Sequence, residues 1–132
     1  MPVEPPATWS APVDDLIEIE LAPGPRADWF SPSALEALFS SEWTVSAASD
    51  RVGMRVEGPR LERVREGELP SEGMVPGAIQ VPPDGHPVIL AADGPVTGGY
   101  PVIAVVTDAS LDLLAQARPG TRLRFRHARV PL

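Results

Sequence analysis

The segment from Ala92 to Pro101, ADGPVTGGYP, sets a carboxylate (Asp93), a hydroxyl (Thr97), two adjacent glycines (Gly98 and Gly99) and a phenol (Tyr100) between two apolar runs, Pro87 to Ala92 and Val102 to Val106. A carboxylate at the end of so apolar a strand is costly unless something answers it. The answer is an arginine, the amides of its own turn, or a substrate amide N–H. Paired glycines let a ligand or another backbone come close and leave their N–H groups open to a developing oxyanion. They serve a tight turn equally well. On residue chemistry alone, the stretch reads either as a hairpin or as the wall of a site. Arg51 offers a planar two-donor grip on a carboxylate or phosphate, or an ion pair with Asp50 or Glu57. Gln80 offers a strand-end amide to a ligand, or merely closes a ladder. His127 alternates with apolar residues and reads as a satisfied, half-buried histidine rather than a catalytic one.

What the chain lacks narrows the chemistry further. It contains no cysteine, and all 11 of its basic residues are arginine. Thiolate nucleophiles, cysteine-ligated metals, Schiff-base lysines and the phosphate-loop lysine are therefore excluded. His86 and His127 are the only histidines, and no spacing suggests a metal site. Carboxylates, arginines, hydroxyls and backbone amides remain. A net charge of −7 disfavours nucleic acid as a partner. No apolar run approaches the roughly 20 residues that span a bilayer, and the N-terminus has no secretory pattern. A cytoplasmic protein is expected.

The elements that must position these groups are short. The 132 residues fit one domain, and they are 43% hydrophobic but only 5% aromatic, so Val, Leu, Ile and Ala must fill the core. The 17 prolines and 11 glycines argue against a helix bundle and suit short strands joined by turns. Residues 1–15 read as a Pro- and acid-rich arm, and residues 16–132 as the folded part. Strands are expected at Leu16–Leu21, Trp43–Val45, twice around Gly58-Pro59 within Arg51–Arg65, at Ala78–Val81, at the two apolar runs, and at Thr121–His127. In the last of these, Arg122, Arg124 and Arg126 form a solvated face opposite Leu123, Phe125 and His127. One short helix starts with Ser31 as N-cap and Pro32 at its first position, with Leu35, Leu38 and Phe39 on one face. A second, capped by Asp108 or Ser110, runs through Ala117 with Leu111, Leu114 and Ala115 inward. The whole reads as mainly β, an antiparallel barrel or sandwich with two short helices.

Four stretches in order add a family resemblance: GPRADWF (Gly24–Phe30), SDRVGMRVEGP (Ser49–Pro59), PGAIQVPPDGHPVILAADGPVTGGYP (Pro76–Pro101) and LAQARPGTRLRF (Leu114–Phe125). Together they resemble allophanate hydrolase subunit 2, also called the 5-oxoprolinase C subunit or the kinase-inhibitor antagonist family, and the carboxyltransferase region of urea carboxylase. The resemblance is to the C-terminal half of that family, with the N-terminal half missing. It implies a cyclophilin-like β-barrel that works with a subunit-1 partner (the B subunit), and in 5-oxoprolinase with a third subunit that opens a lactam using ATP. It implies no cofactor bound by this chain alone, with ATP used in the assembled complex. By the same resemblance Asp93 is the catalytic candidate, accepting from a substrate amide. Arg51, Gln80, Thr97, Gly98, Gly99 and Tyr100 are the substrate-binding candidates, and no residue is assigned to a metal. Two alternatives follow from the same family: a regulatory module that sequesters a kinase inhibitor, and a component that passes carboxyl from carboxybiotin to urea. The chain departs from the family pattern at Gly94, Pro95 and Val96, and has Val102 where a lysine is usual.

Overall fold

Alternation writes the first strand. In Leu16–Pro23, Ile19 and Leu21 turn inward and are buried while Glu18 stays exposed. The computed structural model describes residues 16–48, 53–65, 72–73, 75–91 and 97–128, with the backbone alone at 72–73 and 97–98. The strands are β1 (Leu16–Pro23), β2 (Glu42–Val45), β3 (Gly53–Glu57), β4 (Glu72–Gly73), β5 (Ala78–Gln80), β6 (Val88–Leu90), β7 (Thr97–Gly98), β8 (Val102–Val106) and β9 (Arg122–His127). The helices are α1 (Pro32–Ser40) and α2 (Asp108–Leu114), with a 3₁₀ turn at Ala27–Trp29.

Seven strands close into a barrel in the order β9-β1-β8-β5-β6-β3-β2, with β2 returning to β9. Only β9 and β1 run parallel, from Arg122↔Leu16 to His127↔Leu21; the other pairings are antiparallel. The fold is thus the mainly β, antiparallel barrel with two short helices that the sequence implies. β4 and β7 form a separate two-stranded ribbon.

Trp43, Phe125, Leu38, Ile79, Ile103 and Leu123 fill the barrel interior. A smaller cluster of Ala78, Leu90 and Val102 is distinct from that core. β5 explains the division. Ile79 and Val81 belong to the interior cluster, so Ala78 and Gln80 face the other way, yet all four are buried. The arginine stripe of β9 is the solvated face expected. Arg122 meets Glu42 at 3.3 Å, and Arg126 meets Glu18 at 3.2 Å and Glu20 at 3.8 Å.

Ser31 caps α1 as its sequence position implies, its Oγ accepting from the Ala34 N–H at 3.0 Å, with Pro32 first in the helix. Leu38 is buried, and Leu35 and Phe39 pack against the core. Ser31→Ala is expected to cost about 1 kcal/mol, the worth of a lost cap. Thermal unfolding followed by circular dichroism measures it, and unchanged stability would show that the cap does no structural duty here.

Four expectations need correction. The stretch beyond Gly58-Pro59 forms no second strand, only an isolated bridge between Phe30 and Arg63. Its backbone groups go to scattered partners instead: Leu61 N–H to Gly85 O, Ser31 N–H to Glu62 O, and Val64 N–H to Trp29 O. The α2 cap is Thr107, whose Oγ1 accepts from the Ser110 N–H at 3.4 Å. Ser110 instead holds β1, its Oγ accepting from the Glu20 N–H at 2.9 Å. α2 also ends at Leu114, leaving Ala115 exposed. Finally, His127 is exposed, because β9 runs past the core there; its ring stacks on Phe39 with centroids 3.7 Å apart.

Candidate functional site

β5 is stopped by Pro82-Pro83-Asp84-Gly85. Gly85 closes that turn at φ +83°, its N–H donating to Pro82 O, and the Asp84 carboxylate accepts from the His86 N–H at 3.0 Å. Just before the stop the ladder slips. Ile79 pairs with Ala104 but Gln80 pairs with Val102, a bulge that re-aims the strand end. The next N–H, that of Val81, donates to Pro101 O at 3.1 Å. Gln80 is therefore fixed against the chain that follows Gly98, Gly99 and Tyr100.

The backbone of Gln80 closes a ladder, but its side chain does not. Gln80 is only 8% exposed, and its Nε2 finds no hydrogen-bond partner among the described residues. Leaving a buried donor unpaired costs about 1–3 kcal/mol. A retained orphan of this kind calls for an acceptor supplied from elsewhere. Tyr100, two residues before Val102, is 45% exposed. Thr97 and Gly98 form β7, where Gly98 pairs with Glu72 and Thr97 with Gly73.

The hairpin alternative for the Ala92–Pro101 segment is overturned. β6 and β8, the strands on either side, do not pair with each other. Both pair antiparallel with β5, which lies between them, so they run parallel and the link between them is a crossover. It leaves from Leu90, whose partner is Gly53, and returns at Val102, whose partner is Gln80.

Arg51 and Asp93 lie outside the described residues. The nearest strand residues among those described, Gly53 and Leu90, are paired with each other. Gln80 lies beside Val88 instead, two residues back along β6 and so about 7 Å away. The described strands thus bring Gln80 and the Gly99–Tyr100 chain together at one end of the short β5–β6 ladder, with Gly53 and Leu90, the strand residues that flank Arg51 and Asp93, at its other end.

One residue with functional potential was missed in the sequence. Gly24 lies flat against β8: a Cβ there would stand 2.6 Å from Ala104 N, Ile103 C and Val102 O. The chain then bonds Gly24 N–H to Ile103 O at 3.2 Å and Arg26 N–H to Val102 O at 3.1 Å. Arg26 is half-buried with its Nε fully so, and it makes a further interaction within the chain. The available signal was the Pro-Gly-Pro stop ahead of a lone arginine, which frees that side chain from the strand pattern.

Two clefts lie elsewhere. One, of about 480 Å³, is lined mostly by apolar residues including Leu21, Leu35, Phe39 and Ile103, with Glu36 and His127. The other, of about 300 Å³, holds Arg55, Glu57, Asp84 and His86. No three His, Cys, Asp or Glu side chains cluster to hold a metal among the described residues, and no helix there is long and apolar enough to cross a membrane.

The molecule is a small closed β-barrel domain, and the buried, unmatched amide beside its glycine-bearing crossover is its candidate site. The carboxyltransferase domain, subdomain A and B, matches residues 2–127, and the chain belongs to that family. It is 39% identical to the 5-oxoprolinase C subunit of Escherichia coli over 107 residues, which are 81% of this chain and 34% of that one. It is 48% identical to the same subunit of Haemophilus influenzae over 85 residues, 64% of this chain and 28% of that one. The chain thus spans about a third of the length of these relatives. The crystal structure of the Kluyveromyces lactis urea amidolyase superposes with a TM-score of 0.82 at 29% identity, covering 92% of this chain and 8% of that one.

Proposed function

We propose that this chain is a component of an ATP-dependent amidohydrolase complex of the 5-oxoprolinase or allophanate hydrolase type. In this reading it helps to hold a small amide or lactam at the interface with a subunit-1-like partner in the cytoplasm. The observation that carries the reading is the Gln80 Nε2, buried and without an acceptor among the described residues. An amide carbonyl supplies the missing acceptor, and a substrate held by its carbonyl is oriented for attack at that carbon. Asp93 accepts from the substrate N–H, and the Gly98-Gly99 backbone N–H groups steady the oxyanion. Arg51, Thr97 and Tyr100 complete the contacts. ATP belongs to the assembled complex, and no residue of this chain is assigned to it. Similarity to two 5-oxoprolinase subunits supports the reading.

Gln80→Met tests it. The variant replaces an unmatched buried amide with an apolar side chain of similar length, so stability should stay level or rise by about 1 kcal/mol. The assembled complex should lose about 10-fold or more in kcat/KM for its amide substrate. A fully active Gln80→Met complex removes Gln80 from the site. A destabilised but active one makes it a structural residue.

A second reading rests on the match to the urea amidolyase structure. The same amide donor would then hold the carbonyl of urea while carboxyl is transferred to it. Lactam opening with ATP, set against carboxylation of urea by carboxybiotin in the same assembled complex, separates the two.

A further inference from the structure

We propose that the cleft between α1 and the β1–β8 wall binds a small amphiphilic cation, an alkyl amine laid with its chain toward the barrel core and its ammonium at Glu36. The inference does not rest on the reading of Gln80.

The apolar part of the site follows from how the wall is built. β1 and β8 pair at only three positions, Leu21↔Val106, Ala22↔Val105 and Pro23↔Ala104, before β1 ends at Pro23. The chain then turns through Ala27–Trp29 into α1. The cleft of about 480 Å³ lies among these parts. That volume suits a small molecule, whose sites run from about 300 to 1,000 Å³. Leu21, Leu38 and Ile103 line the cleft and are no more than 1% exposed, so it reaches the interior cluster. α1 adds Leu35 and Phe39, and the 3₁₀ turn adds only the methyl of Ala27. β1 and β8 are each paired on both sides, so no partner strand can add beside the cleft.

The polar part is anionic. Glu36 and Ser40 both line the cleft and stand one turn apart on one face of α1. Glu36 is the only acid in the described lining, and it makes no ion pair among the described residues. The last turn of α1 carries no basic residue, so the negative end of the helix adds to the carboxylate instead of being offset. His127 stacks its ring on Phe39 and extends the apolar side. An ammonium has three donors, enough for the carboxylate and the Ser40 hydroxyl together. The chain has no lysine, so no side-chain ammonium of its own competes for the place. An alcohol leaves the charge of Glu36 unanswered, and an anion is repelled by it.

Hexylamine, hexanol and hexanoate share one alkyl chain and differ in the end group. Each is titrated into the isotopically labelled 132-residue chain at pH 8, where an alkyl ammonium stays protonated, and followed by methyl resonances. Hexylamine should shift the Leu21, Leu35 and Ile103 methyls saturably and bind more tightly than hexanol, with hexanoate weakest. Glu36→Gln should weaken hexylamine by about 3- to 5-fold, the worth of a solvent-facing ion pair, and leave hexanol unchanged. Ala27→Phe should fill the cleft and weaken hexylamine and hexanol alike. Leu35→Ser, which strips an apolar wall at a half-buried position, gives the same reading should Ala27→Phe fail to fold. The proposal is overturned if hexylamine gives no saturable shift at these methyls, or if wild type binds hexanol as tightly. It is equally overturned if Glu36→Gln keeps the full preference for the amine. Binding that neither Ala27→Phe nor Leu35→Ser weakens lies outside the cleft and overturns it too.

Discussion

Trp43→Ala is expected to lose about 3–5 kcal/mol of stability, the range for emptying a large aromatic site in a core. Trp43 is 0% exposed, and three parts of the molecule meet on its ring. The Phe125 ring of β9 lies 6.2 Å away, tilted by 46°. The indole Nε1 donates to Leu38 O at 3.1 Å, tying β2 back to α1. Gly58 sits directly on the ring, where a Cβ would come within 2.4 Å of Cε3. Such a site cannot collapse cheaply, because its walls are strands of a closed barrel. Trp43→Phe should cost less, about 1–3 kcal/mol, since it keeps an aromatic ring but strands the Leu38 carbonyl and leaves a smaller void. Urea unfolding followed by far-UV circular dichroism gives both values. A loss below about 1.5 kcal/mol for the alanine variant would mean that the neighbouring side chains fill the space, and that the ring does not organise the core.

The barrel was legible in the sequence because its signals are local. Alternation in Ile17–Leu21 and in Arg122–His127, with proline and glycine at each stop, identifies strands without reference to anything distant. α1 was legible for the same reason, since Ser31 and Pro32 write its start. The failures share the opposite cause. The segment after Gly58 looks strand-like, but its donors and acceptors find separate partners that no local pattern reveals. Ser110 is a credible cap until β1 arrives to claim its hydroxyl. The glycine stretch resembled a hairpin because its flanking strands are adjacent in sequence, although β5 comes between them in the barrel. Of the two readings of Gln80, the ladder holds for the backbone, while the side-chain Nε2 takes no part in it. The placement of Arg26 was not legible because it depends on Gly24 meeting residues 102–104.

That contact yields the second large effect. Gly24→Ala is expected to cost about 3–5 kcal/mol, although a single methyl is added. The new Cβ would stand 2.6 Å from Ala104 N, Ile103 C and Val102 O, all backbone atoms of a strand paired on both sides. β8 cannot give way without opening the barrel, so the chain from Gly24 to Arg26 must lift. Overpacking of this kind costs about 1–3 kcal/mol. Lifting also breaks the bonds from Gly24 N–H to Ile103 O and from Arg26 N–H to Val102 O, at about 1 kcal/mol each. Gly120→Ala is the control. Gly120 has φ +93° and nothing within 4 Å of an added methyl, so its penalty is the backbone conformation alone, about 1 kcal/mol. Chemical denaturation of the two variants side by side distinguishes steric from conformational cost. Equal losses would mean that Gly24 is needed only for its backbone freedom and that the seam with β8 adjusts.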